Sequence, residues 1–506
     1  MTIIDKEADF IKSKEKLNLE NKIDSNKMKL NALERIDMLL DKNSFVELYP
    51  LMKNNMSTSN QTSGDGVIVG FGTIEGRIVY IYSQDFKVLG GTVGKTHAEK
   101  ISKLFDLAGE NKYPIIGLFD SGGARIQEGI ASLEGYGSIF KRNVIYSGII
   151  PQISVILGPC AGGSVYSPAL SDFVFMVENT SHMFITGPKV IKSVTGENVS
   201  LEELGGALVH STMTGNIHFS SKSEREALLK VKELLGYLPS NNENKPLSKE
   251  HSNMENLKFN LKNIVPTNNT KSYNIKDVIG EIVDYKSFLE IQKDFAKNIV
   301  IGFARIKGQS IGLVCNQPKV LAGSIDINSA DKAARFIRFC NSFNIPIITL
   351  EDVTGFFPGV EQEHKGIIRH GAKIIYAYAE ATVPKITIIL RKAYGGAYVA
   401  LNSKSIGADL VFAWPKAEIA VMGAKAAVKI LNNKDIKVSD NPQQLINQKI
   451  TDYENEFLNP NRAGEFGAID NIIDPEMTRS MIIKGLELLR SKQEIRPNKK
   501  HGNMPL

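Results

Sequence analysis

Two glycine-rich turns in the first half of the chain are the residues best suited to chemistry. They read Asp120-Ser121-Gly122-Gly123-Ala124-Arg125 and Gly158-Pro159-Cys160-Ala161-Gly162-Gly163, and each follows an apolar run and precedes a helix start. Backbone N–H groups at such a junction have no partner inside the helix, and the helix dipole adds partial positive charge there. Because glycine lets another molecule approach the backbone closely, two such N–H groups can hold one negative oxygen. Alone, a Gly-Gly pair after a strand is more often only a tight turn.

The chain repeats itself at about half its length, which strengthens the functional interpretation of these turns. Six matches keep one order at a nearly constant offset, among them Lys87-Val88-Leu89 with Lys319-Val320-Leu321, Pro114-Ile115-Ile116 with Pro346-Ile347-Ile348, Asp120 with Asp352, and Gly162-Gly163 with Gly395-Gly396. Ordered matches at one offset indicate a tandem duplication. Both copies keep the glycine pair after a strand, so the sequence predicts two oxyanion-binding domains.

Alternating strands and helices must position these turns. The run YPIIGLFD is short, apolar and bounded by a proline and a glycine turn, which indicates a buried strand. Each copy reads strand, turn, helix and again strand, turn, helix, a pattern that predicts an α/β domain. We expect a helical extension over residues 1–50, a first domain over 51–240, a linker rich in Asn, Lys, Ser and Pro over 241–270, and a second domain over 271–506.

Composition and charge exclude several classes of protein. A hydrophobic fraction of 42% with 23% charged residues is typical of globular proteins with real cores, and no apolar run is long enough to span a bilayer. The net charge of +6 forms no dense basic block interleaved with aromatics, so nucleic acid is not an expected partner. Three cysteines without CxxC spacing, and an N-terminal stretch with acids and no apolar core, favour the cytoplasm.

The sequence resembles the carboxyltransferase subunits of biotin-dependent enzymes, the propionyl-CoA carboxylase, transcarboxylase and methylmalonyl-CoA decarboxylase type. The resemblance runs from about residue 25 to the end of the chain, and many long motifs in one order carry it. The motifs are QDFKVLGGTVGKTHAEKI, DSGGARIQEG, GPCAGGSVYSPALSDFVFMV, FITGPKVIKSVTGE, EELGGALVHSTMTG, NQPKVLAG, GIIRHGAKIIYAYAEATVPK, RKAYGGAYVALNSK, AWPKAEIAVMGA and KKHGNMPL.

This resemblance implies a crotonase-like fold in each half, with the active site between the first domain of one subunit and the second domain of another. It implies an acyl-CoA in the first domain and carboxybiotin in the second. The candidates to hold the thioester oxygen are then Gly122, Gly123, Gly162 and Gly163. The candidates to hold the ureido oxygen of biotin are Gly395, Gly396 and Ala397. Both charges appear only along the reaction path, where preorganised N–H groups help most, and no side-chain base is needed.

Further site residues follow from the same resemblance. The expected cofactor-binding residues are Ala124, Arg125, Ala161, Tyr394 and Tyr398. Arg125 begins a helix, and its side chain could either orient a substrate or bind neighbouring residues of the protein. We consider the two roles equally. Val399 stands where relatives carry Asp or an aliphatic residue, and the aliphatic choice resembles members that accept acetyl or a range of short acyl groups. Thr354, Lys365 and Ala426 depart from residues common in the family.

The resemblance also implies partners. The chain contains no biotin carrier domain of its own, so biotin is expected on a separate biotin carboxyl carrier protein loaded by a biotin carboxylase. A hexamer built as a trimer of dimers is the expected assembly. Because carboxyl transfer is reversible, the same step run backwards, as in a methylmalonyl-CoA decarboxylase, is the alternative.

Three other motifs invite interpretations that we consider weaker. GGTVGKT has Leu89 where a phosphate-binding loop needs its first glycine, which argues against nucleotide binding. Lys27-Met28-Lys29 resembles a biotinylated lysine, but it lies in a charged, helix-like stretch. His364 and His370 lack carboxylate or cysteine partners at ligand spacing, so no metal is expected. A hydratase or hydrolase acting on CoA thioesters, and a non-catalytic scaffold, are the competing classes of function.

Overall fold

In the computed structural model, which describes residues 29–54, 63–249 and 260–505, the chain divides into two units after Leu235. The strands that carry the repeated motifs begin at matching positions in the two units. Val67, Arg77 and Ile115 begin strands in the first unit, and Ile299, Gln309 and Ile347, displaced by one constant offset, begin their counterparts. The predicted tandem duplication of an α/β domain is confirmed.

The first unit builds a mainly parallel sheet. Its strands are β1 Val46–Leu48, β2 Val67–Ile74, β3 Arg77–Gln84, β4 Ile115–Ser121, β5 Gln152–Ala161, β6 Phe173–Val177, β7 His182–Phe184 and β8 Phe219–Ser221. The order is β1-β2-β3-β4-β5-β6-β8, with β7 beside the end of β5. Pairing is antiparallel from β1 to β3 and parallel from β3 onward.

Helices cover this sheet. They are α1 Ala32–Leu39, α2 Lys95–Asn111, α3 Ile130–Ile145, α4 Tyr166–Leu170, α5 Pro188–Thr195, α6 Leu201–Gly205, α7 Ala207–Val209 and α8 Glu224–Leu235. In α2, apolar residues at helical spacing (Ala98, Ile101, Phe105 and Ala108) face the core, and the helix ends at Lys112 in the left-handed conformation. Leu104, Ile156 and Val174 join them in one buried cluster.

The second unit repeats the arrangement. Its strands are β9 Leu289–Ile291, β10 Ile299–Ile306, β11 Gln309–Asn316, β12 Ile347–Val353, β13 Lys385–Tyr394, β14 Leu410–Ala413, β15 Glu418–Ala420 and β16 Asn471–Ile472. They are ordered β16-β14-β13-β12-β11-β10-β9, with β15 beside the end of β13. Among the described strands of this unit, the pairs among β9, β10 and β11 are again antiparallel and the others are parallel.

The helices of the second unit are more numerous toward its C-terminal end. They are α9 Leu261–Ile264, α10 Ile275–Ile282, α11 Ile327–Ser342, α12 Val360–His364, α13 Ile367–Glu380, α14 Gly395–Ala400, α15 Ala424–Leu431, α16 Asn433–Val438, α17 Pro442–Phe457, α18 Pro460–Glu465 and α19 Thr478–Leu488. Asp326 caps α11 through a capping box with Ser329, and Leu313, Leu350 and Ile388 lie in the main buried cluster.

Two predicted segments fall partly on residues that the structure does not describe. Of the expected extension over 1–50, the structure describes the part from residue 29, where α1 is followed by β1, which pairs with β2. Of the expected linker over 241–270, it describes all but 250–259 and includes α9. The lysine-methionine motif at 27–29 lies outside the described residues except for Lys29.

Candidate active site

The two glycine turns of the first unit lie side by side because the strands that carry them are parallel neighbours. β4 and β5 pair from Ile115 with Gln152 to Phe119 with Ile156, then shift register so that Ser121 faces Cys160. The turns therefore leave the sheet at one edge, where the carboxyl ends of parallel strands meet and ligands bind in open α/β sheets. A Cβ on Gly123, which has φ +109°, would lie 2.9 Å from the carbonyl oxygen of Ala161.

The backbone donors of these turns divide into engaged and unengaged groups. The N–H of Gly122 donates to the carbonyl of Gly90 at 3.0 Å, and that of Gly123 donates to the Ser121 hydroxyl at 3.2 Å. The N–H of Gly163, at the second position of a 3₁₀ turn, has no acceptor among the described residues, whereas Gly162 directly follows Ala161, the last residue of β5 paired with β7. Gly163 is half-buried, so its donor is within reach of a ligand.

A series of hydrogen-bonded hydroxyl groups connects the two turns. The Tyr136 hydroxyl lies 2.5 Å from the Ser164 hydroxyl, which donates to Ser121 at 3.4 Å. Ser121 in turn accepts the N–H of Gly123, so the hydroxyls link one turn to the other. Burial raises the pKa of Tyr136, which keeps this phenol uncharged at neutral pH.

Arg125 is committed to contacts within the protein. Its guanidinium is buried and donates to Asp65 at 2.6 Å, to Glu128 at 2.7 Å and to the carbonyl of Thr92 at 2.7 Å. These contacts favour a structural role for the side chain, which holds the first turn against the preceding loop. Ala124, the residue before it, is half-buried beside the turn.

Asp120, at the end of β4, belongs to a buried network of charges. Arg35 of α1 donates to Asp120 at 3.0 Å and makes two bonds to Glu224 of α8 at 2.8 and 3.0 Å. Lys29 adds a contact to Asp120 at 2.9 Å from a more exposed position. Because a buried carboxylate is unfavourable unless it is paired, Arg35 is what allows Asp120 to stand directly before the glycine turn.

The second unit places its glycine pair in the same conformation. Gly395 has φ +62°, and Gly162, its counterpart in the first unit, has φ +60°. The shift in strand register also recurs, because Val353 of β12 faces Ala393 of β13. Among the described residues, the N–H groups of Gly396 and Ala397 in the first turn of α14 have no acceptor, whereas Gly395 directly follows Tyr394, the last residue of β13 paired with β15. Gly396 is exposed, which leaves this end of the helix open to a ligand.

Aromatic side chains flank this second turn. The Tyr394 hydroxyl donates to the carboxylate of Glu418 on β15, and burial together with that carboxylate raises the pKa of Tyr394. Tyr398 and Val399 follow on α14 and are half-buried. Tyr398 packs against a cluster that includes Ile389 and Ala393. The predicted biotin-side residues thus lie together at one edge of the second sheet.

Asp352, which precedes the second turn, pairs with a different arginine from the one that pairs with Asp120. Arg391 of β13 donates to Asp352 at 3.0 Å, and the backbone N–H of Lys392 donates to it at 3.1 Å. Arg391 stands at the position equivalent to Gly158, displaced by the same offset as the glycine pairs. A Cβ on Gly158 would lie 2.1 Å from a carboxylate oxygen of Asp120, so the first unit has no room for a side chain there.

The positions that depart from the family pattern have local contacts. The Thr354 hydroxyl lies 3.0 Å from that of Ser324 and donates to the carbonyl of Ala322 at 3.3 Å, so it ties two loops of the second unit together. Lys365 is exposed and pairs with Glu361 at 2.5 Å. Ala426 lies in the first turn of α15, and nothing in the structure explains its replacement of glycine.

No cluster suited to a metal ion occurs among the described residues. His370 instead lies 2.8 Å from a carboxylate oxygen of Asp331. The three cysteines are free and buried. Two buried acids near the turns were not predicted from the sequence. Asp65 is the partner of Arg125. Glu351 has both carboxyl oxygens buried without a hydrogen-bond partner among the described residues. An acid inside the apolar run IITLED was the only signal for Glu351.

Comparison with known proteins gives concordant matches over nearly the whole chain. The family model described as the carboxyl transferase domain matches residues 24–504. The propionyl-CoA carboxylase carboxyltransferase subunit of Haloferax mediterranei is 52% identical over 485 residues, 95% of this chain and 94% of that protein. The methylmalonyl-CoA decarboxylase subunit alpha of Propionigenium modestum is 51% identical over 483 residues, 94% of this chain and 93% of that protein.

A solved structure agrees with the sequence matches. The crystal structure of transcarboxylase 12S, described as a hexamer assembly with methylmalonyl-coenzyme A and methylmalonic acid bound, superposes with a TM-score of 0.93 at 49% identity. The match covers 95% of this chain and 93% of that one.

Proposed function

Because this chain belongs to the carboxyl transferase family and is a carboxyltransferase of the propionyl-CoA carboxylase and transcarboxylase type, we propose that it moves a carboxyl group between biotin and the α carbon of a short-chain acyl-CoA. The resemblance seen in the sequence is thereby confirmed. Acetyl-CoA and propionyl-CoA, carboxylated to malonyl-CoA and methylmalonyl-CoA, are the proposed substrates.

The observation that carries the proposal is the recurrence of one donor turn in both units. Gly162 and Gly395 share a left-handed conformation at the carboxyl ends of equivalent strands, and in each turn the N–H of the next residue, Gly163 or Gly396, lacks an acceptor among the residues that the structure describes. Two such turns suit a reaction with two partners that each develop negative charge on oxygen. A hydratase or a hydrolase of thioesters needs only one such turn.

On the acyl-CoA side, we assign the thioester oxygen to the turn of Gly162 and Gly163, where the N–H of Gly163 has no acceptor among the described residues. Loss of the α proton places negative charge on that oxygen, and donors already in place stabilise the charge without reorganising. The N–H groups of Gly122 and Gly123 are engaged within the protein, so we propose that this pair shapes the turn. The backbone of Ala124 and Ala161 would border the bound substrate, while Arg125 holds the turn in place.

On the biotin side, the turn of Gly395, Gly396 and Ala397 fits an oxygen acceptor such as the ureido oxygen, because the N–H groups of Gly396 and Ala397 have no acceptor among the described residues. Biotin, when bound, supplies the carboxyl group and a ureido nitrogen that takes the α proton. Tyr394 is held by Glu418, and with Tyr398 it would flank the ring. We propose that Val399, half-buried on the same helix, limits the acyl chain length.

The test is a transfer assay with purified protein, methylmalonyl-CoA or malonyl-CoA, and free biotin. Loss of the carboxyl group that depends on biotin supports the proposal, whereas thioester cleavage or water addition without biotin supports a hydratase or hydrolase, and inertness supports a scaffold. The assay across acetyl, propionyl and butyryl thioesters, repeated with Val399→Asp, tests the role of Val399: an unchanged preference contradicts it.

A second candidate is the same transfer run in reverse, as the alpha subunit of a biotin-dependent methylmalonyl-CoA decarboxylase. The match to the Propionigenium modestum subunit favours it. None of the helices in the described ranges is both long and apolar enough to cross a membrane. A sodium-pumping decarboxylase would therefore need membrane subunits encoded separately, and neighbouring genes distinguish the cases: a biotin carboxylase indicates carboxylation, a polytopic membrane protein decarboxylation.

The proposed partners follow from this function. A biotin carboxyl carrier protein and a biotin carboxylase would deliver carboxybiotin, and the chain would assemble as a hexamer, a trimer of dimers, in line with the hexamer assembly described for transcarboxylase 12S. Light scattering that gives a mass other than six chains contradicts the assembly. Three buried, free thiols suit the reducing cytoplasm, which we propose as the compartment.

A further inference from the structure

Glu351 is a buried acid that the proposed reaction does not yet use. It lies near the carboxyl end of β12, next to Asp352, and its exposed fraction is 0%. Among the described residues, neither of its carboxyl oxygens has a hydrogen-bond partner. Burial, with a smaller effect of Asp352, raises the pKa of Glu351 well above its ordinary value, so the group is a neutral carboxylic acid that can donate a hydrogen bond.

The first unit has no such acid at the equivalent place. Phe119 stands there, is 3% exposed and pairs with Ile156 of β5, just as Glu351 pairs with Ile389 of β13. The residue equivalent to Tyr398, at the offset that relates the glycine pairs, is Val165, which is also buried. Where the first unit has two hydrocarbon side chains, the second therefore has a carboxyl group and a phenol.

The acid and the phenol belong to one region beneath α14. Residues paired in neighbouring strands share a face of the sheet, so Glu351 lies on the face of Ile389. Tyr398 packs against the cluster that contains Ile389. Burial raises the pKa of Tyr398 to about 12, so the phenol is uncharged at neutral pH. Thr349, two residues before Glu351, occupies the same face and is bonded to the Tyr378 hydroxyl at 2.8 Å.

We propose that Glu351 is a positioning residue of the biotin-side unit, whose protonated carboxyl donates a hydrogen bond to the Tyr398 hydroxyl when α14 is occupied by its ligand. The bond fixes the helix whose first N–H groups belong to Gly395 and Gly396, and leaves the phenol hydrogen for another acceptor. It also gives a partner to a buried polar group that otherwise destabilises the fold. This inference rests on the proposed function, because it assumes a biotin ring at α14.

The test compares kinetic constants for free biotin and for methylmalonyl-CoA in the transfer assay. Glu351→Val and Tyr398→Phe each remove one end of the bond, so each should lower kcat/KM for biotin by on the order of tenfold, the usual effect of one hydrogen bond. The KM for methylmalonyl-CoA should stay at the wild-type value. Glu351→Gln keeps a neutral donor and should retain activity within about twofold. The double variant should be no worse than either single variant, since the two residues act through one bond.

Thr349→Val is the matched control, because it removes a buried hydrogen bond from the same strand and face without touching Tyr398. It should lower the melting temperature but leave the biotin constants unchanged. Wild-type biotin kinetics in Glu351→Val or Tyr398→Phe overturn the inference, as does a Gln variant as impaired as the Val variant, or an equal loss for both substrates. If Glu351→Val does not fold, Tyr398→Phe decides alone. If the proposed function itself is wrong, the wild-type protein will show no biotin-dependent transfer, and this result differs from every result that overturns the role of Glu351.

Discussion

The side-chain amines of Lys100 and Lys332 occupy equivalent places in the two units. Lys100 donates to the carbonyl of Val67 at 2.6 Å, and Lys332 donates to that of Ile299 at 2.9 Å. The two lysines are separated in sequence by the same offset as the two acceptors. In each unit the amine fastens the first residue of a strand to a core helix, and Lys332 makes further bonds to the carbonyls of Gln292 and Phe295.

The stability contributed by Lys332 should depend on pH. Burial lowers its pKa to about 7, while an unfolded lysine titrates near 10.4. Between these values the unfolded chain binds more protons, so the free energy of unfolding rises with pH; below about 7 both states are protonated and the effect is flat. Relative to Lys332→Met, the wild type should gain about 1 kcal/mol per pH unit between pH 8 and 9.5. Urea unfolding of both proteins measures this, and a constant difference contradicts it.

Replacing Gly395 with alanine should abolish most biotin-dependent transfer. A side chain at φ +62° is strained, and its Cβ would lie 3.0 Å from the carbonyl oxygen of Val421, so the turn must move its donors. Loss of one such donor costs on the order of a hundredfold in kcat. Gly76→Ala is the control, because Gly76 has φ +76° and empty space around it, in a hairpin turn. It should cost stability alone; equal activities of the two variants would refute the role of Gly395.

Truncation of Arg35 should destabilise the first unit strongly. Arg35→Met leaves the buried carboxylates of Asp120 and Glu224 without their shared partner, and breaking a buried ion pair this way costs about 3–5 kcal/mol. Lys103→Met, which removes an exposed pair with Glu99, should change the free energy of unfolding by less than about 1 kcal/mol. Denaturation curves for both variants provide the comparison, and similar small effects would argue against the network.

The thiols should be inert in the folded protein. Burial raises the pKa of Cys160, Cys315 and Cys340, so none forms a reactive thiolate near neutral pH. Ellman's reagent should react with no thiol in the native protein and with three after denaturation in urea. Rapid modification of the native protein at pH 8 would show that at least one cysteine is accessible.

The strands and turns were predictable because they depend on local sequence. Apolar runs ending in glycine pairs, repeated at one offset, were enough to infer a duplicated α/β fold. The ion pair between Arg125 and Asp65 was not predictable, because Asp65 lies 60 residues earlier and only the folded sheet brings the two together. Gly122 donates to Gly90 for the same reason, which is why the sequence alone assigned four donors although the structure engages some of them within the protein. Such long-range contacts leave no periodic signal in the chain.

Asp120 and Asp352 have different arginine partners, so the two copies diverged at this position after the duplication. Arg391 lies on β13 of the second unit, whereas Arg35 lies on α1 of the first, and Gly158 leaves no space for an arginine like Arg391. A single ancestral half can have had only one of these arrangements, so at least one copy exchanged the source of its cation later. A chimera that placed the sequence of β5 in the second unit, without that of α1, would therefore keep Asp352 but lose the arginine that pairs with it.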